Sequence, residues 1–175
     1  GEAKPTDFLV CDNIRGINII GTGIDVEILQ RCEKSKILKG KIKYFVSLLI
    51  SLIKFKFYNF RLADEPDRDR SALIVCCGNG RMFGGGIPMC PNAVVDDNEM
   101  DFVMVNKMKR TLIPKYLVKL MKGKILEQPA TDFVRRDEVE ALFDKPISVE
   151  IDGEIYENIR FNVHIEKGKL NLFRP

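Results

Sequence analysis

The chain has 175 residues, of which 45% are hydrophobic and 30% charged, and its formal net charge is +3. That length suits one domain with a real apolar core, and the composition is an ordinary soluble balance. With no C-x-x-C pair and a single histidine, His164, the five cysteines support neither a disulfide framework nor a zinc site and read as reduced thiols of a cytosolic protein.

The start, "GEAKPTDFLVCD", carries acids and a proline where a secretory leader needs a basic and then an apolar segment. "TDFLVCD" and "RGINIIGTGID" read as two strands joined by a turn at Asp12-Asn13. From Asp25 the apolar period becomes helical. The spacing predicts helices over 25–36 and 40–54, with Asp25 as N-cap of the first. Within the second lies the longest apolar-rich run, "YFVSLLISLI" at 44–53, about half of the ~20 residues a membrane span requires. The chain is therefore not expected to cross a bilayer.

"FKFYNFRLA" at 55–63 alternates as a strand, "DEPDRDR" at 64–70 reads as a polar turn, and "SALIVCC" is a strand apolar on both faces, hence central. "DFVMVNK" at 101–107 is another buried strand, and "TLIPKYLVKLM" at 111–121 a helix with Pro114 in its first turn. From 130 onward the period is two. Ile147, Val149 and Ile151 share one face, while Ser148, Glu150 and Asp152 share the other, and His164 falls on a polar strand face. The fold class predicted is mainly β (α+β), an antiparallel sandwich-like single domain over 1–175 with two or three inserted helices.

Charge is unevenly spread. Between Arg31 and Arg61 stand nine basic residues against Glu33 alone, and 106–124 holds no acid at all. Basic residues interleaved with apolar ones suit an anionic surface, of lipid headgroups or nucleic acid, although a solvated helix face reads the same way. No nucleic-acid recognition motif accompanies them, so no nucleic-acid partner is expected.

Four short stretches could carry chemistry. "GNGRMFGGG" at 78–86 lacks the Lys of a phosphate-binding Walker loop, and its glycines miss the dinucleotide spacing. "PNAVVDDNEMD" at 91–101 gathers Asp96, Asp97, Glu99 and Asp101, oxygen ligands suited to a hard cation, unless it is simply an acidic turn. In "EIDGEI" at 150–155, Asp-Gly signals a hairpin whose tip presents carboxylates able to take a hydroxyl proton. "GTGID" at 21–25 either brings backbone close to a ligand or forms a bulge.

These stretches, in this order, resemble the C-terminal domain of the diacylglycerol kinase and sphingosine kinase superfamily, in its bacterial soluble lipid-kinase branch. "INIIGTGIDVEILQRCEKSKILKGKIKYFVSLL", "ALIVCCGNGRMFGGGIPMCPNAVVDDNEMD" and "PISVEIDGE" carry the resemblance over essentially the whole chain. It implies ATP-dependent phosphorylation of a lipid hydroxyl at a membrane surface by a cytoplasmic protein peripheral to the inner face. In that family a separate N-terminal domain with a Gly-Gly-Asp-Gly-Thr motif holds ATP. The motif is absent here, so the chain is expected to be the lipid-binding half, excised or truncated, and to need that N-terminal kinase domain as partner.

By position, the resemblance makes Glu154 the base and Asp152 its support or a metal contact. It gives Asp97 to a structural Mg2+, with the backbone carbonyls of Val94 and Glu99, and has Asn98 where the family has Gly. Asp25 is placed near the lipid headgroup, and Gly84 and Gly85 in a turn beside the lipid entrance. A lipid substrate and an anionic membrane are the expected partners, with self-association as homo-oligomer through exposed apolar surface. The alternative is a non-catalytic lipid-binding or regulatory module of the same fold.

Overall fold

A computed structural model describes residues 1–34, 50–51, 55–83 and 86–174. The predicted helix over 40–54 falls almost wholly outside these, as do Gly84 and Gly85. In chain order the elements are β1 (Glu2–Cys11), β2 (Ile14–Gly16), β3 (Ile19–Gly23), α1 (Ile24–Lys34), β4 (Tyr58–Leu62) and β5 (Glu65–Gly78). There follow β6 (Met100–Asn106), a 3-10 turn (Arg110–Leu112), α2 (Ile113–Met121), β7 (Thr131–Arg136), β8 (Glu138–Phe143), β9 (Ile147–Ile151), β10 (Glu154–Ile159) and β11 (Phe161–Arg174).

Every pairing is antiparallel. The strands run β10-β9-β3-β5-β4-β8-β11-β1-β2, with β6 and β7 branching from β5. The branch comes from the length of β5. One of its edges pairs with β6, while β4 and β3 share the other edge end to end, on 65–72 and 74–78 respectively. A sheet forked in this way curls over itself and encloses its own core. The fold is thus the mainly-β, sandwich-like class that the alternation predicts.

Two cores follow from the period of two. Val75 and Cys77 of β5, with Phe102 of β6, Val149 and Ile151 of β9 and Phe161 of β11, fill the space between the curled layers. Ile74 and Cys76, with Val103 and Val105, face the other way, under Ile24 and Ile28 of α1 and Ile113 and Tyr116 of α2. The adjacent cysteines therefore point into opposite cores, as neighbours on a strand must.

Three expectations need correction. The polar run 64–70 is not a turn. From Glu65 it is the first half of β5, laddered to β4 and braced by Arg61–Asp69 (2.6 Å), Arg70–Glu65 (2.5 Å) and Arg70–Asp132 (3.3 Å). Backbone pairing with an adjacent strand outweighs weak local propensity. The second predicted strand also breaks, at Ile17–Asn18, because its N–H groups turn away from the ladder toward a carboxylate described below. Finally, α1 begins at Ile24, so Asp25 lies inside its first turn and is not the cap. By contrast the Asp12-Asn13 turn forms as read, both residues in the left-handed region (φ +46° and +71°) that a tight hairpin demands.

Candidate active site

The β9–β10 hairpin turns on Asp152 (φ +50°) and Gly153 (φ +96°), the pair of left-handed residues that Asp-Gly supplies readily. The Asp152 carboxylate accepts three backbone N–H groups, from Ile17 (2.6 Å), Asn18 (3.0 Å) and Ile19 (2.9 Å). The Asp152 N–H in turn donates to the Ile19 carbonyl at 3.1 Å. Its side chain thus clamps the tip onto the 17–19 segment.

That segment also holds the glycine turn. The Asn18 carbonyl accepts the N–H groups of Asn79 (2.9 Å) and Gly80 (2.8 Å), and the Asn18 amide donates to the Met82 carbonyl at 2.7 Å. A Cβ at Gly80 would run into the Asn18 side chain, so glycine is required there by close approach. Asn79, fully buried, donates to the carbonyls of Asp7 and Ile17. Hairpin tip, 17–19 segment and glycine turn form one hydrogen-bonded unit. The Phe83 and Gly86 N–H groups are also bonded within the turn, to the Ile87 and Phe83 carbonyls.

Glu154 is exposed beside the tip, and its carboxylate accepts the Tyr156 hydroxyl at 2.8 Å. This bond, ahead of burial, raises the Tyr156 pKa. Register separates Glu154 from its neighbour Glu150: Glu154 stands opposite Ile151, and Ile155 opposite Glu150. Since antiparallel partners share a face, Glu154 and Glu150 leave the hairpin on opposite sides.

In sequence Glu150 is one of several acids at a polar tip, yet it is 4% exposed. It pairs with Gly21 across β3, on the face that α1 covers. Asp25 Oδ2 lies 2.6 Å from where a Gly21 Cβ would stand. The missing side chain therefore admits the Asp25 carboxylate into the space next to Glu150. Both Asp25 oxygens and Glu150 Oε2 are shut from solvent without a hydrogen-bond partner, while Glu150 Oε1 accepts the Gly153 N–H at 2.5 Å. Burial pushes Asp25 up to about 7. Burial, then the Asp25 charge, pushes Glu150 up to about 8 against the Gly153 bond. Two carboxyls so placed favour holding protons at neutral pH.

The acidic stretch is organised differently from a metal site. Arg135 of β7 pairs with Asp97, with Glu99 (3.2 Å) and, through Nε, with Asp101 Oδ1 (3.5 Å). The guanidinium supplies the positive charge that a cation would bring. Among the described residues no group of three or more His, Cys, Asp and Glu side chains is arranged to hold a metal, and the Asp97 carboxylate, the one side chain of the expected Mg2+ site, is bonded to Arg135 and to the Glu99 N–H. Val94 is 39% exposed on this loop. Asn98 does adopt the left-handed backbone (φ +65°) that Gly would, and its N–H donates to buried Asp7 at 2.8 Å. His164 is half-buried, 3.8 Å from Glu166.

A curled antiparallel sheet with helices on one face and an acid-bearing hairpin clamped to a glycine turn defines a mainly-β, sandwich-like domain. Residues 18–174 match the family of the YegS C-terminal NAD kinase beta sandwich-like domain, and the chain belongs to that family. Its relatives include the diacylglycerol kinase of Mycobacterium tuberculosis, 27% identical over 137 residues, covering 77% of this chain and 42% of that protein. Another is a "Probable lipid kinase YegS-like" of Stenotrophomonas maltophilia, 26% identical over 159 residues, covering 89% of this chain and 50% of that protein. The solved structure of a diacylglycerol kinase from Bacillus anthracis superimposes with a TM-score of 0.64 at 17% identity, over 97% of this chain and 53% of that one. The chain spans about half the length of these relatives and corresponds to their C-terminal domain.

Proposed function

We propose that this chain is the acceptor-side half of an ATP-dependent lipid kinase acting at a membrane surface. In this reading Glu154 is the general base. Its carboxylate takes the proton of a lipid hydroxyl as the hydroxyl oxygen attacks the γ-phosphorus of ATP and ADP leaves. The observation that carries the reading is the exposed Glu154 carboxylate, oriented by the Tyr156 hydroxyl beside a tip that Asp152 clamps in place. Phosphoryl transfer asks the protein chiefly for positioning and charge stabilisation, and a base must be held within hydrogen-bond reach of the proton it removes.

Kinship to kinases implies use of ATP with a divalent metal, both brought with the nucleotide-binding part of the whole protein. A structural Mg2+ held by the Asp97 carboxylate and the Val94 and Glu99 carbonyls would have to take the place that Arg135 holds on Asp97. Asp25, which the resemblance puts near the lipid headgroup, has its carboxyl shut from solvent beside Glu150, on the hairpin face opposite Glu154, so in this reading it shapes the site from beneath and does not touch the reacting hydroxyl.

The test joins this chain to its nucleotide-binding half and follows transfer of labelled γ-phosphate to diacylglycerol in mixed micelles. Glu154→Gln is expected to lower kcat by about 10²–10⁴-fold without changing the melting temperature. Wild-type rates in that variant would remove Glu154 from the mechanism. Lipid binding without transfer in the wild type would favour a non-catalytic lipid-binding module.

A further inference from the structure

The family assignment leaves α2 without a task beyond packing. Its inner side is accounted for: Ile113 and Tyr116 are buried in the core shared with α1, Leu117 and Leu120 lean on the same core, and the Tyr116 hydroxyl accepts the Ala130 N–H at 2.8 Å. Its outer side is not. Val118 is 53% and Met121 57% exposed, and Leu112, just before the helix, 42%. At 100° per residue, Met121, Pro114 and Val118 form one strip, and Lys122, Lys115 and Lys119 form the next. Lys107, Lys109 and Lys124 are exposed close by, and no acid occurs from Asn106 to Lys124. None of these six lysines has an ion-pair partner among the described residues.

We infer that the outer face of α2 docks this domain onto an anionic lipid bilayer, Val118 and Met121 entering the interface and the lysine row meeting the headgroups. The inference rests on the lipid-kinase reading and names the surface that reading needs. Two features choose the occupant. Unpaired lysines beside exposed aliphatic side chains match a negatively charged surface with an apolar interior. A nucleic acid would satisfy the lysines and leave Val118, Met121 and Leu112 in water.

Vesicle sedimentation of this chain tests the proposal directly, using phosphatidylcholine alone and phosphatidylcholine mixed with phosphatidylglycerol. Binding is expected only to the mixed vesicles, and it should fall as salt rises. Each lysine near such a surface is worth about fivefold in partitioning, so the triple variant Lys115→Gln, Lys119→Gln, Lys122→Gln should bind about 100-fold more weakly. Val118→Ser with Met121→Ser should weaken binding while leaving some salt-dependent attraction. All five positions lie on the outer face, and unchanged circular dichroism and melting would show that the variants fold. Wild-type partitioning by the triple variant would overturn the inference. So would equal binding to neutral vesicles, or displacement of the chain from vesicles by duplex DNA at stoichiometric amounts. With the nucleotide-binding half attached, the triple variant should lose activity on anionic vesicles through KM and keep it on a short-chain, monomeric diacylglycerol. Loss on neither would show that the other half covers α2 and would overturn the docking role. Absence of transfer by the wild type on either substrate would instead defeat the kinase reading.

Discussion

Glu150 sits one residue before the strand end that leads to the hairpin tip, on the face that alternation marks as polar. A period of two says which residues share a face, but it does not say that a helix covers the second face. Here α1 covers it, and an expected surface acid becomes a buried one next to Asp25. The consequence for stability has a definite sign. A carboxyl held at about 8 when folded, above its usual 4.5, stabilises the fold while protonated, and that contribution fades as pH rises through this window. Thermal melts of Glu150→Gln should match the wild type near pH 5 and exceed it near pH 8–9, by about 1–3 kcal/mol. A constant difference across that range would contradict the buried pair. The Asp152 carboxylate, in contrast, is exposed and is met by three N–H groups. Asp152→Ala orphans those donors and should cost about 2–4 kcal/mol in urea unfolding, with the m-value unchanged, besides any loss of activity.

At the scale of elements, α2 was legible because each of its signals agrees. Pro114 stands in the first turn, apolar residues recur at helical spacing, and Gly123 ends the run. The Gly123 N–H reaches the Leu120 carbonyl (2.9 Å) and the Lys124 N–H the Lys119 carbonyl (2.8 Å), the two bonds of a Schellman close. Gly123 has φ +67° and only Pro88 near its missing Cβ, so space is not the constraint. Gly123→Ala should therefore cost about 1–2 kcal/mol, the conformational penalty alone, seen as a lowered melting temperature. The strand order was not legible, and neither was the first half of β5. Residues 65–70 contain five charges and a proline, which locally describe a turn. Their strand exists because β4 lies alongside, a fact about residues that precede them. Arg135 was missed for a similar reason. Nothing in "TDFVRRDE" reveals that β7 pairs with β6 and brings a guanidinium to acids 34 to 38 residues earlier.

For the whole molecule, the informative pairing is β1 with β11. The two strands are hydrogen-bonded from Glu2↔Arg174 to Cys11↔Val163, and at the irregularity between Thr6 and Phe8 the Asp7 carboxylate accepts the N–H groups of Asn98 (2.8 Å) and Gly168 (2.6 Å). Closing a ladder across that much sequence is entropically late, because the intervening chain must be ordered first. Refolding is expected on the millisecond-to-second scale. Leu9→Ala, at a fully buried position of β1, should cost about 2–4 kcal/mol, nearly all of it as faster unfolding in stopped-flow chevrons. Slower folding by the whole of that energy would instead place this ladder in the nucleus.

The same register puts Glu2 directly across from Arg174. Any polypeptide continuing from one end of the domain would depart within a strand spacing of any continuing from the other, about 5 Å. A neighbouring module tethered at that corner would swing about a single pivot, so the domain could tilt against it while its two connecting threads stayed together.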